Sequence, residues 1–245
     1  MKMHIGSCCG NSFLIMDCRH RRLGREGKID IATKELSKYG VDSLLILEGS
    51  GTDSLFVEIF ERDGSESESC GNGAHAISNL LGLNDCTIGM KGGKVHAVSN
   101  GKRQSIRINI SASEIREVND TGDCLFVKVG EPHLIYFVDN VFDWNLFEIG
   151  SRLQSVYPEG INVNAIEKIK DFCYAIRTFE RGVLSETKSC GTGSLSAYRA
   201  IAHVDNSLNG ESIELRSAGG THWVSRHGDV LQLEVLKEHC EIRCL

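Results

Sequence analysis

Phe179-Glu-Arg-Gly-Val-Leu-Ser-Glu-Thr-Lys-Ser-Cys190-Gly-Thr-Gly-Ser194 has a near copy upstream, Phe60-Glu-Arg-Asp-Gly-Ser-Glu-Ser-Glu-Ser-Cys70-Gly-Asn-Gly-Ala74. The two cysteines stand 120 positions apart in a chain of 245 residues, about half its length. An apolar stretch with helical character follows each motif, His75 to Leu81 and Leu195 to Ala202. The chain therefore reads as two similar halves, each bringing one Cys-Gly-X-Gly turn to a shared site. A cysteine at a helix start lies beside N–H groups that have no carbonyl partner within the helix. Those donors and the helix dipole favour an anion and predict a lowered thiol pKa. The glycines let a ligand approach the backbone closely.

Two such turns facing each other can hold an amino acid's α-carboxylate between two helix N-termini. They also present a sulfur to each face of its α-carbon. A thiolate then removes the α-proton and a thiol on the opposite face returns one, which is what inversion of a stereocentre requires.

Composition narrows the alternatives. At 41% hydrophobic the chain can bury a substantial core, and 245 residues suit two compact lobes. A net charge of −6 with no Lys/Arg-rich run argues against a nucleic-acid partner. Met1 to Asp17 has no uninterrupted apolar core, so neither a signal peptide nor a membrane partner is expected, and the expected location is the cytoplasm. Ten cysteines could suggest a disulfide framework or a metal site. However, no Cys-x-x-Cys occurs, and neither Cys8-Cys9 nor Cys240 with Cys244 has zinc spacing. No metal is expected, and the eight cysteines outside the motifs are expected to be reduced and mostly buried.

Alternating polarity and turn residues place the elements. A strand–turn–strand is expected at the start with Asn11 at the turn's end, a helix over 30–38, and strands over 42–48 and 55–61. Gly82 is expected to close the first motif helix. Short strands follow over 86–90, 94–99 and 104–110. The polar stretch 111–122 marks the best lobe boundary. In the second half, strands are expected over 124–129, 134–138, 162–166 and 172–179, a turn at 130–133 and a helix over 144–156. Four more segments from 212 onward read as strands. The fold class is α+β: two pseudo-symmetric lobes, each a curved sheet or barrel around a central helix, with the active site between them.

These residues resemble the diaminopimelate epimerase family of cofactor-independent amino-acid racemases and epimerases. The matching segments are Gly10-Asn11-Ser-Phe, Asp63-Gly-Ser-Glu-Ser-Glu-Ser-Cys70-Gly-Asn-Gly-Ala, Gly130-Glu-Pro-His133, Asn162-Val-Asn, and Glu180-Arg-Gly with Cys190-Gly-Thr-Gly. They follow family order across nearly the whole chain. The resemblance implies an N-terminal lobe over 1–116 completed by a last strand near 236–245, and a C-terminal lobe over 117–235. It implies that Cys70 and Cys190 transfer the protons, with His133 and Glu180 beside them setting their protonation. Gly71, Asn72, Gly191 and Thr192 would bind the α-carboxylate through backbone N–H groups. Asn11, Asn162, Glu180 and Arg181 would line the pocket, and Arg181 can grip a carboxylate with two hydrogen bonds. No cofactor is implied. A homodimer is compatible with the resemblance.

The departures fall where the family reads the substrate's far end. Glu61 stands for the usual asparagine, Glu131 for the asparagine of Gly-Asn-Pro-His, Ser43 for a glutamine, and His75 for an arginine. Two carboxylates in place of neutral amides repel a distal carboxylate and favour a cation. The expected substrate is therefore an amino acid with a basic side chain: lysine, ornithine, arginine or histidine. The alternatives are diaminopimelate itself, a related isomerase of the same fold, and a non-catalytic amino-acid-binding protein.

Overall fold

A computed structural model describes residues 2–49, 55–110, 113–118, 124–205, 208 and 210–245. The elements repeat one plan twice. The first half runs β1 (Lys2–Cys8), β2 (Asn11–Asp17), α1 (Arg25–Tyr39), β3 (Ser43–Glu48), β4 (Leu55–Glu61), β5 (Glu66–Ser67), α2 (Gly71–Leu81), β6 (Asp85–Met90), β7 (Gly93–Asn100) and β8 (Arg103–Asn109). After β9 (Glu114–Val118), the second half runs β10 (Cys124–Val129), β11 (Glu131–Phe137), α3 (Leu146–Val156), β12 (Asn162–Lys170), β13 (Cys173–Glu180), β14 (Ser185–Thr187), α4 (Gly191–Val204), β15 (Ile213–Ser217), β16 (Gly220–His227) and β17 (Val230–Leu236). The chain ends in β18 (Cys240–Cys244).

Matching strands make matching ladders. β2 lies parallel to β3 across α1, and β11 lies parallel to β12 across α3. β4 and β6 pair in parallel across α2, as β13 and β15 do across α4. Each half's first hairpin gains an outer strand from elsewhere: β18 pairs with β1, and β9 with β10. β8 and β17 pair antiparallel and join the two sheets. This is the two-lobed α+β architecture that the sequence predicts.

Strand alternation decides which helix lies inside. Phe13, Ile15, Leu45 and Leu47 face the core that contains Ala74 and Ile77 of α2. Their neighbours Leu14, Met16, Leu44 and Ile46 face the opposite way, onto Ala32 and Leu36 of α1. α4 belongs to the same central core as α2, through Leu195, Tyr198 and Ile201. α3 covers the outer face of the second sheet, with Leu146 and Leu153 packed among Leu134, Val163 and Phe179. Two adjacent side chains on a strand point to opposite faces, so one apolar run feeds two cores.

Several local expectations shift. α1 begins at Arg25, five residues before the expected start. Lys28 accounts for this: it is 6% exposed and sits between Glu48 and Glu58, so the helix's buried face includes a charge that apolar spacing does not register. β11 already begins at Glu131, because Gly130 alone, at φ 76°, turns the chain. Part of the polar stretch 111–122 forms β9, while 111–112 and 119–122 lie outside the described residues. Cys8 and Cys240 are joined in a disulfide, contrary to the expectation of eight reduced cysteines. They face each other in the β1–β18 register, a pairing across 232 positions of sequence. Among the described residues, no helix is long and apolar enough to cross a membrane.

Candidate active site

Cys70 and Cys190 are the N-caps of α2 and α4, each in extended backbone, and each sulfur accepts from the N–H three residues on. The Gly73 N–H lies 3.2 Å from Cys70 Sγ and the Gly193 N–H 3.4 Å from Cys190 Sγ. The two helices begin against each other: a Cβ on Gly191 would sit 3.2 Å from Gly71 Cα. Glycine at both positions suits that close approach. Gly71 and Asn72, with Gly191 and Thr192, are the first two residues of their helices, where N–H groups lack an intrahelical carbonyl.

One cleft contains both sulfurs, those four residues, and Asn11, Ser43, Glu61, Glu131, Asn162, Glu180 and Arg181. Every sequence-predicted site residue except His133 lines it. His133 is fully buried and stands behind the wall, where Nε2 meets Thr192 Oγ1 at 3.0 Å. Thr192 Oγ1 in turn lies 3.4 Å from Cys190 Sγ.

Glu180 and Glu61 occupy matching places. The β12–β13 ladder runs Glu180 past Asn162, and the β3–β4 ladder sets Glu61 opposite Ser43. Each carboxylate accepts from a hydroxyl three residues before its half's cysteine, Ser67 to Glu61 at 2.6 Å and Thr187 to Glu180 at 2.5 Å. Ser43 donates to the other Glu61 oxygen at 2.8 Å. Burial raises the Glu180 pKa to about 7, opposed by hydrogen bonds from Thr187 and Asn11. Burial also raises that of Glu61, opposed by Ser67 and Ser43, with Glu131 adding like-charge repulsion.

Glu131 is 5% exposed and fully engaged. Oε1 accepts from the Glu68 and Ser69 N–H groups, and Oε2 lies 2.5 Å from Arg181 Nη2. Arg181 Nη1 donates to the Glu159 carbonyl at 2.9 Å. The expected two-pronged grip on a substrate carboxylate is thus turned onto the protein itself. Asn162 fixes the base of this arm, accepting from the Arg181 N–H at 3.0 Å and donating to the Pro132 carbonyl. Asn72 donates to Asn11 Oδ1 at 3.1 Å and to Ser189 Oγ at 3.0 Å, tying the two lobes together.

The expected lowering of the thiol pKa does not hold. Burial pushes Cys70 up to about 12, and Cys190 well above the ordinary thiol value. The Gly73 and Gly193 N–H groups pull the other way, but desolvation of the thiolate exceeds them, and Glu180 adds repulsion at both sulfurs.

Sequence reasoning missed Ser67, Ser69, Ser189, Asn164 and Gly182. The repeat contains a signal for three of them, since Ser67 and Ser69 align with Thr187 and Ser189 when the cysteines are superposed. Among the described residues, no group of three His, Cys, Asp or Glu is placed to hold a metal.

The diaminopimelate epimerase family model matches residues 125–236. A diaminopimelate epimerase from Bacteroides thetaiotaomicron is 30% identical over 94% of this chain and 91% of its own length. The chain belongs to the diaminopimelate epimerase family. Another relative, the diaminopimelate epimerase of Thermotoga maritima, is 30% identical over 88% of this chain and 89% of its own. Among solved structures, a hydroxyproline epimerase from Agrobacterium vitis superposes with a TM-score of 0.75 at 14% identity, covering 100% of this chain and 91% of that one. At that identity the likeness speaks for the fold. As a diaminopimelate epimerase family member, the protein is an isomerase of the racemase and epimerase class.

Proposed function

We propose that this isomerase inverts the α-carbon of an amino acid with a basic side chain, with Cys70 and Cys190 as the two proton-transfer groups and no cofactor. The α-carboxylate lies between the first N–H groups of α2 and α4, those of Gly71, Asn72, Gly191 and Thr192. Cys70 and Cys190 flank the α-carbon, one as thiolate and one as thiol, with the roles exchanged for the other enantiomer. An arriving ammonium offsets the carboxylate repulsion that helps hold the thiols neutral, so substrate itself helps generate the base. Glu180, with its pKa near neutrality, faces both sulfurs and can take up or give back that proton.

The observation that carries the choice of side chain is the Glu131–Arg181 pair at 2.5 Å, with Glu61 buried in the same cleft. Arg181 is already neutralised, which leaves Glu61 and Glu180 as carboxyls without a cationic partner among the described residues. A cationic side chain favours the ionised form of Glu61, whereas a second carboxylate about 4 Å from that ionised form meets ~4 kcal/mol of repulsion at an effective dielectric of 20. The competing reading is epimerisation of diaminopimelate, the activity in the names of the curated relatives. The test incubates lysine, ornithine, arginine, histidine and diaminopimelate in D2O, with α-deuteration read by mass spectrometry. Exchange on a basic amino acid at least as fast as on diaminopimelate supports the proposal. Exchange on diaminopimelate alone overturns the substrate class, and exchange on none overturns the catalytic reading.

A further inference from the structure

The two thiols occupy matching positions but do not have matching surroundings. In the second lobe, Asn164 Oδ1 accepts from Thr178 Oγ1 at 2.8 Å, and Asn164 Nδ2 lies 3.3 Å from the Leu134 carbonyl. A carbonyl cannot donate, so the amide has one orientation, with its NH2 toward Leu134 O. The same NH2 points at His133 Nδ1, 2.9 Å away. Nδ1 must therefore accept, which places the imidazole proton on Nε2. Nε2–H then donates to Thr192 Oγ1 at 3.0 Å, and the threonine hydroxyl hydrogen is left for Cys190 Sγ at 3.4 Å. Burial and the nearby Arg181 charge lower the His133 pKa to about 3, so the ring is neutral and has one proton to place.

Among the described residues, the first lobe lacks this chain. The parallel ladders set His133 beside Asn162 and Ile135 beside Asn164, where the first lobe has Phe13 beside Ser43 and Ile15 beside Leu45. Phe13 thus takes the place of His133, and Leu45 that of Asn164. Asn72 replaces Thr192, and its amide is spent on Asn11 and Ser189. The second glycine of the Cys190 motif serves the same arrangement, because a Cβ on Gly193 would lie 2.6 Å from Asn164 Oδ1. At Gly73 the neighbour is the Leu45 side chain, at 3.3 Å.

We propose that Asn164 is a positioning residue that holds His133 in the Nε2–H tautomer, so that a directed hydrogen-bond chain through Thr192 supports a thiolate at Cys190 and has no equivalent at Cys70. This rests on the two-thiol reading above. The chain works against the burial of Cys190 and the repulsion of Glu180 and of Cys70, the groups that disfavour its thiolate. Removing it makes Cys190 a poorer acid and leaves Cys70 unchanged.

The test needs no turnover, which separates its failure from that of the two-thiol reading. Rates of iodoacetamide alkylation at pH 8 are measured for Cys70 and Cys190 separately by peptide mapping. Thr192→Val keeps the backbone N–H and side-chain shape but removes the hydroxyl. A hydrogen bond to a charged group is worth about one to two pH units of thiol pKa, and part of the lost thiolate is offset by higher intrinsic nucleophilicity. Alkylation of Cys190 is therefore expected to slow roughly 4- to 15-fold with Cys70 unaffected, and Thr192→Ser to restore the rate. The His133 tautomer is read by ¹⁵N NMR of the wild type, where Nε2–H is expected. Asn164→Asp, which accepts rather than donates, is expected to move the proton to Nδ1 and slow Cys190 as Thr192→Val does. A wild-type Nδ1–H tautomer overturns the proposal. So does a Thr192→Val protein that alkylates at Cys190 as fast as wild type, or slows equally at both cysteines.

Discussion

Arg181 Nη2 lies 2.5 Å from Glu131 Oε2, within the cleft that holds both motif cysteines. The guanidinium is thereby matched within the protein, and Glu61 and Glu180 are the cleft carboxyls that no cation among the described residues pairs. Replacing Glu61 and Glu131 by asparagine frees Arg181 and removes their repulsion. Glu61→Asn with Glu131→Asn is expected to shift the ratio of kcat/KM toward diaminopimelate and away from lysine by about tenfold or more, equivalent to 1.4 kcal/mol. Competition assays with the two substrates check this. An unchanged ratio means that neither carboxyl reads the side chain.

In the proposed mechanism proton removal and proton return occur in series, so either thiol alone is insufficient. Cys70→Ser and Cys190→Ser are each expected to lower racemisation by about 10²- to 10⁴-fold, and the double variant by little more than either single one. Optical rotation or chiral chromatography against time measures this. Near-wild-type turnover in either single variant rules out the two-thiol mechanism.

Burial depresses the pKa of His75 to about 3, of His133 to about 3 and of His222 to about 4, all from 6.5. Their stability contribution is present above pH 6.5 and is lost as the pH falls through those folded values, because the unfolded chain binds protons that the folded one refuses. Glu180, raised to about 7, acts in the opposite sense: its contribution is present below its ordinary value and lost as the pH rises through 7. His75 is fully buried and neither ring nitrogen has a hydrogen-bond partner among the described residues. His75→Leu is therefore expected to raise Tm, and to raise it more at pH 5 than at pH 8. Thermal melts at the two pH values check this, and an equal or larger gain at pH 8 contradicts it.

Gly150, on α3, packs against the ring of Phe179, the residue before Glu180. A Cβ there would fall 2.4 Å from Phe179 Cγ. Gly150→Ala is expected to destabilise the chain by about 1–3 kcal/mol through overpacking. For a chain of this size that lowers Tm by about 2–12 °C. Calorimetry measures the shift, and kcat is expected to fall with it because displacement of Phe179 moves Glu180.

Under the proposed substrate class, a cationic side chain binds the ionised form of Glu61, whose pKa burial raises. For a basic substrate, KM is expected to fall as the pH rises through that value, with release of a proton on binding. Glu61→Gln is expected to flatten that dependence. A KM profile identical in wild type and variant removes Glu61 from side-chain recognition.

The site was legible where the chemistry is written into consecutive residues. Cys70 and Cys190 announce themselves by the glycines that follow, and their helices by the apolar runs after those glycines. Glu61 and Glu131 drew notice as carboxylates where amides are usual, and both do line the cleft. The thiol pKa was misread because local sequence shows the N–H donors of a helix start and not the depth of burial, which here is the larger effect. His133 was expected beside the thiols, and it reaches Cys190 through Thr192.

By itself the sequence determined the doubled plan, the two capped helices and most strand positions. These follow from side-chain period, capping and backbone freedom, which act over a few residues. Tertiary structure alone decided that Glu131 neutralises Arg181, that Asn164 sets the tautomer of His133, and that Cys8 meets Cys240 across 232 positions. Each of those contacts depends on strand register and on how the lobes dock, and a one-residue change of register would turn the same side chains to the other face.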